Sequence, residues 1–103
     1  LNNKILTLLG FASKAGKLSF GAASSSDMIK CGKSKLIVIS CDISKKSKKE
    51  IRFLSDKHGV KQIVLDTVST SILTNAVGRS CGILSVNDSS FASAIAEEYG
   101  RKC

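Results

Sequence analysis

A chain of 103 residues has room for one domain with one substantial core. With 43% hydrophobic and 23% charged residues it is too apolar for a disordered segment. No apolar run nears the ~20 residues of a membrane span, and the opening Leu-Asn-Asn-Lys lacks the basic-then-apolar order of a leader peptide. The formal net charge of +8 is one-sided: residues 1–49 hold ten lysines against Asp27 and Asp42, and the charges of residues 50–103 cancel. Such a patch attracts nucleic acid or anionic lipid; a solubility face is the plainer alternative. Lipid is disfavoured, because no segment joins a basic face to Trp or Phe anchors.

Taken in chain order, Asn2 or Asn3 can cap a first helix with Ile5, Leu8, Leu9 and Ala12 at helical spacing, and Gly16 ends it. Leu18–Phe20 reads as a short strand. Ser24–Cys31 reads as a short helix closed by Gly32. The β-branched run Leu36–Ser40 has the composition of a strand covered on both faces. Asp42 or Ser44 then opens a helix to about His58, with Ile51 and Leu54 inward and Gly59 after it. Gln62–Leu65 is a third strand. Ser69 caps a helix with Ile72, Leu73, Ala76 and Val77 on one face, closed by Gly78. Gly82–Val86 is a fourth strand, and Asn87 or Asp88 caps a last helix striped by Phe91, Ile95 and Tyr99. Helices and strands alternate throughout, which argues an α/β fold with helices on both faces of a small sheet. Right-handed crossovers would make several strands parallel.

The residues give little to catalysis. His58, the one histidine, falls in the last turn of its helix, where it suits the helix dipole. Asp42 and Asp66 follow strands, where active-site carboxylates occur, but aspartate is also an ordinary helix cap. Cys31, Cys41, Cys81 and Cys103 form no C-x-x-C pair, so zinc and dithiol chemistry are not indicated. Cys41 and Cys81 read as small buried hydrophobes. We expect free thiols, a cytoplasmic protein and no cofactor.

Anion binding has more support. Gly21 to Ser26 leads into a helix start, where free N–H groups and serine hydroxyls suit phosphate, although plain N-capping by serine would also explain it. Lys14, Lys17, Lys30, Lys33 and Lys35 flank this region in sequence; Asp27 opposes it. Lys45, Lys46, Lys48 and Lys49 open their helix, where the macrodipole disfavours cations by about 0.3–1 kcal/mol each. A chain that tolerates them can be using the charge on a partner; a solvated lysine face is the alternative. Most of the aromatic residues fall on apolar stripes and read as core, which argues against base stacking and leaves structured RNA.

In FASKAGKLSFGAASSSDMIKCGKSKLIVISCDIS, KKEIRFLSDKHGVKQIVL and ILTNAVGRSCGILSVND the chain resembles the kink-turn-binding ribosomal-protein superfamily, the L-seven-Ae and L-thirty-e group, and within it the bacterial YlxQ-like branch. The resemblance implies a three-layer α/β/α sandwich with a four-stranded mixed sheet. It also implies RNA binding by a G-x-N-E-x-x-K box opening the second helix. Here the box reads Gly21-Ala22-Ala23-Ser24-Ser25-Ser26-Asp27: Ala23 replaces asparagine, Ser24 glutamate and Asp27 lysine. Each lost base contact costs about 1–3 kcal/mol. By the same resemblance Ile43 and Ser44 after the second strand, and Gly78, Arg79 and Ser80 before the last, complete the site. Thr74 stands where the family has glycine. With Lys17 and Lys30 as basic flanks, the resemblance, together with the one-sided charge, implies a non-enzymatic, ribosome-associated protein, expected to be a monomer, that holds structured RNA, ribosomal RNA among the candidates, with no membrane or small-molecule partner. The alternative is a protein-interaction module that kept the fold and lost RNA recognition.

Overall fold

The computed structural model describes residues 3–100; Asn2, the Asn3 side chain and Cys103 lie outside what it describes. Among the described residues five helices and four strands alternate: α1 (Asn3–Lys14), β1 (Leu18–Phe20), α2 (Ala22–Lys30), β2 (Leu36–Ser40), α3 (Lys45–Lys57), β3 (Lys61–Leu65), α4 (Thr70–Val77), β4 (Ile83–Val86) and α5 (Ser89–Gly100). The strands form one sheet in the order β1-β4-β2-β3. In that sheet only β2 and β3 run parallel, whereas β4 is antiparallel to both its neighbours. The sheet is therefore mixed, with one parallel pair rather than the several that simple crossovers suggest.

The alternating side chains of β2 build two cores. Leu36 and Val38 join Ile5, Leu9, Leu73, Val77 and Ile95, from the layer of α1, α4 and α5. Ile37 and Ile39 pack against Ile29 and Ile51, from the layer of α2 and α3. All five residues of β2 are buried, as a strand covered on both faces requires. The result is the three-layer α/β/α sandwich. Cys81 is buried within the first core, but Cys41 is exposed, because it lies one residue past the covered strand.

The caps sort themselves by geometry. Ser44 caps α3 by accepting from the Ser47 N–H at 3.1 Å, and Ser69 caps α4 by accepting from Ile72 N–H at 3.3 Å. Asp88 takes the corresponding role for α5, accepting from the Phe91 N–H at 3.0 Å. His58 is the exposed C-cap of α3, its backbone N–H bonded to the Leu54 carbonyl. Among the described residues no helix is long and apolar enough to cross a membrane, and no three His, Cys, Asp or Glu residues are grouped to hold a metal ion.

Candidate functional site

Three segments far apart in sequence meet where β2 ends and β4 begins. The Gly21 N–H, just past β1, donates to the Ile83 carbonyl at 2.8 Å, and the Ser40 N–H at the end of β2 donates to the Gly82 carbonyl at 2.9 Å. These bonds bring residues 21–24, 41–44 and 78–82 to one edge of the sandwich. Gly21 turns the chain at φ 89°, a backbone conformation that a side chain would strain.

α2 begins at Ala22, two residues earlier than the serine-capped start expected from sequence. Its N-cap is Gly21, which has no side chain to offer, so Ser24, Ser25 and Ser26 lie inside the helix and cap nothing. Ser25 is buried and Ser24 exposed. The first intrahelical bond is Ser25 N–H to the Gly21 carbonyl at 3.0 Å. The N–H groups of Ala22, Ala23 and Ser24 precede it and have no carbonyl one turn back to receive them. No acidic residue occupies this first turn. Asp27 is exposed one turn further along, four residues after Ala23 and so on the same stripe.

Arg79 is brought to this helix start by Phe20. Gly78 ends α4 in the left-handed conformation, and the Arg79 guanidinium then lies over the Phe20 ring, 5.0 Å from its centroid. Phe20 immediately precedes Gly21, so a planar cation is stacked on the residue before the Gly21 turn, on the side of the sheet that α1, α4 and α5 cover. Thr74 places its hydroxyl oxygen 3.4 Å from the Cys81 N–H and supports the same loop.

Asp42 locks the second loop. One oxygen of its carboxylate accepts from the Thr70 hydroxyl at 2.7 Å, the Thr70 N–H at 2.9 Å and the Ser40 hydroxyl at 3.1 Å. Asp42 thus holds the first N–H of α4 from across the fold, beside the Ser69 cap, and does not open α3. The Thr70 hydroxyl, followed by the Thr70 N–H, holds its carboxyl below the usual value. Ile43 and Ser44 follow directly, and Ile43 rests on Gly82. A Cβ at Gly82 would stand 2.6 Å from the Ile43 Cγ2 methyl. Phe20, Thr70 and Gly82 were not legible as site residues. Each acts through a contact with another segment, and the glycine at the head of the expected Gly82–Val86 strand was the one faint signal.

The lysines do not all gather here. The Lys17 carbonyl accepts from Asn87 N–H and the Lys35 N–H donates to the Val86 carbonyl, which puts Lys17 and Lys35 at the opposite end of the sheet. Lys17 is ~13 Å along the strand from Gly21 at about 3.3 Å per residue. Lys33 precedes β2 at that same end, and Lys14 lines a groove with Gly10 and Ala76 in the other helical layer. Lys30 ends α2, ~12 Å from its start at 1.5 Å per residue. It shares with Ala22 and Ser26 a groove against α3. Of the basic side chains singled out for the site, Arg79 is held against Phe20, the residue before the Gly21 turn. The aromatic residues also divide: Phe20, Phe91 and Tyr99 pack on the core, but Phe53 is 70% exposed and Phe11 55%. Ile72, expected inward, is 44% exposed on α4.

Comparison with known proteins agrees with this architecture. The model of the Ribosomal protein L7Ae/L30e/S12e/Gadd45 family matches residues 3–96. A solved protein of unknown function from Bacillus halodurans C superposes with a TM-score of 0.87 at 24% identity, covering 91% of this chain and 94% of its own. The Giardia lamblia 15.5kD RNA binding protein superposes with a TM-score of 0.76 at 18% identity, covering 97% of this chain and 85% of its own. At these identities the two structures speak to the fold. Among curated proteins none matches the chain significantly.

Proposed function

Since the chain belongs to the Ribosomal protein L7Ae/L30e/S12e/Gadd45 family, we propose that it is a non-enzymatic RNA-binding protein whose site is the edge where α2 opens. The observation that carries the reading is the convergence on that edge of an uncapped helix N-terminus, a guanidinium stacked on Phe20 and the Ile43–Ser44 loop. Backbone N–H groups and the helix dipole favour a phosphate there. Arg79 can grip a second phosphate through its planar fork. Ile43 offers an apolar contact and Ser44 a hydroxyl beside them.

Structured RNA fits better than a free strand at this edge, because the donors are fixed by the fold. Base-specific readout is weak: Ala23 has no hydrogen-bonding side chain, Ser24 is short and Asp27 carries the wrong charge for phosphate. We therefore infer a site that takes kink-turn-like RNA mainly through its backbone, on the ribosome or another RNA particle. The test is a titration with a kink-turn RNA and a plain duplex at two salt concentrations. Tighter binding of the kink-turn, weakening steeply with salt, is expected. Binding to neither RNA at low salt overturns the reading, and equal binding to both removes the kink-turn.

Asp27 favours one second reading, a protein-interaction module on the same fold. Replacing Ala23→Asn, Ser24→Glu and Asp27→Lys together separates the two. If the edge is an RNA site with eroded side chains, kink-turn affinity rises by tenfold or more at about 1–3 kcal/mol per restored contact. No rise favours the interaction module.

A further inference from the structure

The α3 face beside this edge carries a feature that the site just described does not use. Lys45, Lys48, Lys49, Arg52, Phe53 and Asp56 line a single surface groove. Their spacing of three and four residues puts them on one side of the helix. Phe53 stands in that row 70% exposed, although a side chain of its size ordinarily buries most of its surface, so α3 does join a basic face to a Phe, contrary to the reading of the sequence. The sandwich has not used it: Ile51 and Leu54, on the neighbouring stripe, do the packing against the sheet. Asp56, the acid of the row, is engaged, accepting from the Gln62 side-chain amide at 2.8 Å. The cations begin in the first turn of α3, where no acid offsets them.

The same Phe53 also lines the groove between α2 and α3, together with Ala22, Ser26 and Lys30. Ala22 is the first residue of α2. A polymer seated at the open end of α2 therefore has a continuous path along this groove to Phe53 and the α3 cations. Glu50 is the acid in that groove, and it is exposed to solvent.

We propose that the α3 face holds a single-stranded RNA segment that leaves the structured element bound at the α2 edge, with one base stacked on Phe53 and its flanking phosphates on Lys45, Lys48, Lys49 and Arg52. The inference rests on the RNA-binding reading above. An aromatic face amid cations matches the chemistry of a single strand, which presents flat bases and regularly spaced negative charge. A duplex keeps its bases stacked inside and leaves Phe53 without a partner. Charge complementarity and continuity with the α2 edge both favour this occupant over a protein helix, for which a row of four cations would need a matching acidic face.

The test compares a blunt kink-turn RNA with the same RNA carrying a ten-nucleotide single-stranded extension on either strand, using the full chain. The native chain contains no tryptophan, so Phe53→Trp introduces a unique fluorophore at the stacking position. The expected result is about tenfold tighter binding of one extended RNA, with the fluorescence of the introduced indole quenched by that RNA and not by the blunt one. Phe53→Ala should abolish the gain and leave blunt-RNA affinity unchanged. Lys48→Gln with Lys49→Gln should lower the salt slope for the extended RNA by about 0.7 per lost phosphate. Equal affinity for blunt and extended RNA, or a gain that survives Phe53→Ala, overturns the α3 site alone. Binding to neither overturns the RNA reading along with it. A gain from an acidic helical peptide in place of the extension, with none from RNA, assigns the face to a protein.

Discussion

Gly82, Asp42 and Arg79 each show a single residue acting on a segment other than its own. Gly82→Ala forces its new methyl to within 2.6 Å of Ile43 Cγ2 and 3.1 Å of the Thr70 hydroxyl, so the loop must move. Overpacking of this kind costs about 1–3 kcal/mol, to be read from urea unfolding, and RNA affinity should fall with it. Arg79→Ala should weaken RNA binding by about 1.5–3 kcal/mol. Arg79→Lys should restore part of that, because lysine keeps the charge but neither the fork nor the stack on Phe20. Asp42 gives a pH dependence whose sign is fixed. Its carboxyl lies below the ordinary value of 3.8 in the fold, so its contribution is present above that value and is lost as pH falls through the lowered one. The melting advantage of the native chain over Asp42→Asn should therefore be constant near neutrality and shrink below about pH 4.

At the scale of the element, α3 sets stability against use. Its first turn carries Lys45, Lys46 and Lys48 with no acid. Lys45→Glu with Lys46→Glu should raise stability by about 0.3–1 kcal/mol per site at low salt, since acids suit that end of the dipole. The same pair should weaken binding of extended RNA, measured in the same buffer. A stability gain with unchanged affinity would mark the cluster as a solvated face. α2 shows the reverse case of an element whose sequence misled. A serine triplet normally advertises a cap, but the chain enters the helix earlier because Gly21 can turn at positive φ and bond to Ile83. The serines then fall within the helix, and the open N–H groups belong to Ala22, Ala23 and Ser24.

For the whole molecule, the excess charge is the property to measure, and its location matters more than its total of +8. Lys17, Lys33 and Lys35 lie at the far end of the sheet from the α2 edge, whereas the α3 cations lie beside it. Lys17→Gln should accordingly leave kink-turn affinity within about twofold, because exposed charges more than ~10 Å apart are largely screened at 0.1 M salt. A larger loss would extend the RNA footprint to that end. Sequence alone determined the alternation of elements, the strand Leu36–Ser40 buried on both faces, the cap Ser69, and the closure of helices by Gly16, Gly59 and Gly78. These follow from periodicity, β-branching and local backbone preference, which act over a few residues. Its family resemblance supplied the mixed sheet. Only the tertiary structure decided which lysines share an edge, that Ser44 opens α3 while Asp42 holds the start of α4, that Phe20 carries Arg79, that Gly82 seats Ile43 and that Phe53 is left outside the core. Each of these depends on which segments the sheet order brings together, and the apolar pattern of a helix tells which stripe is buried best without fixing what becomes of an aromatic at its margin.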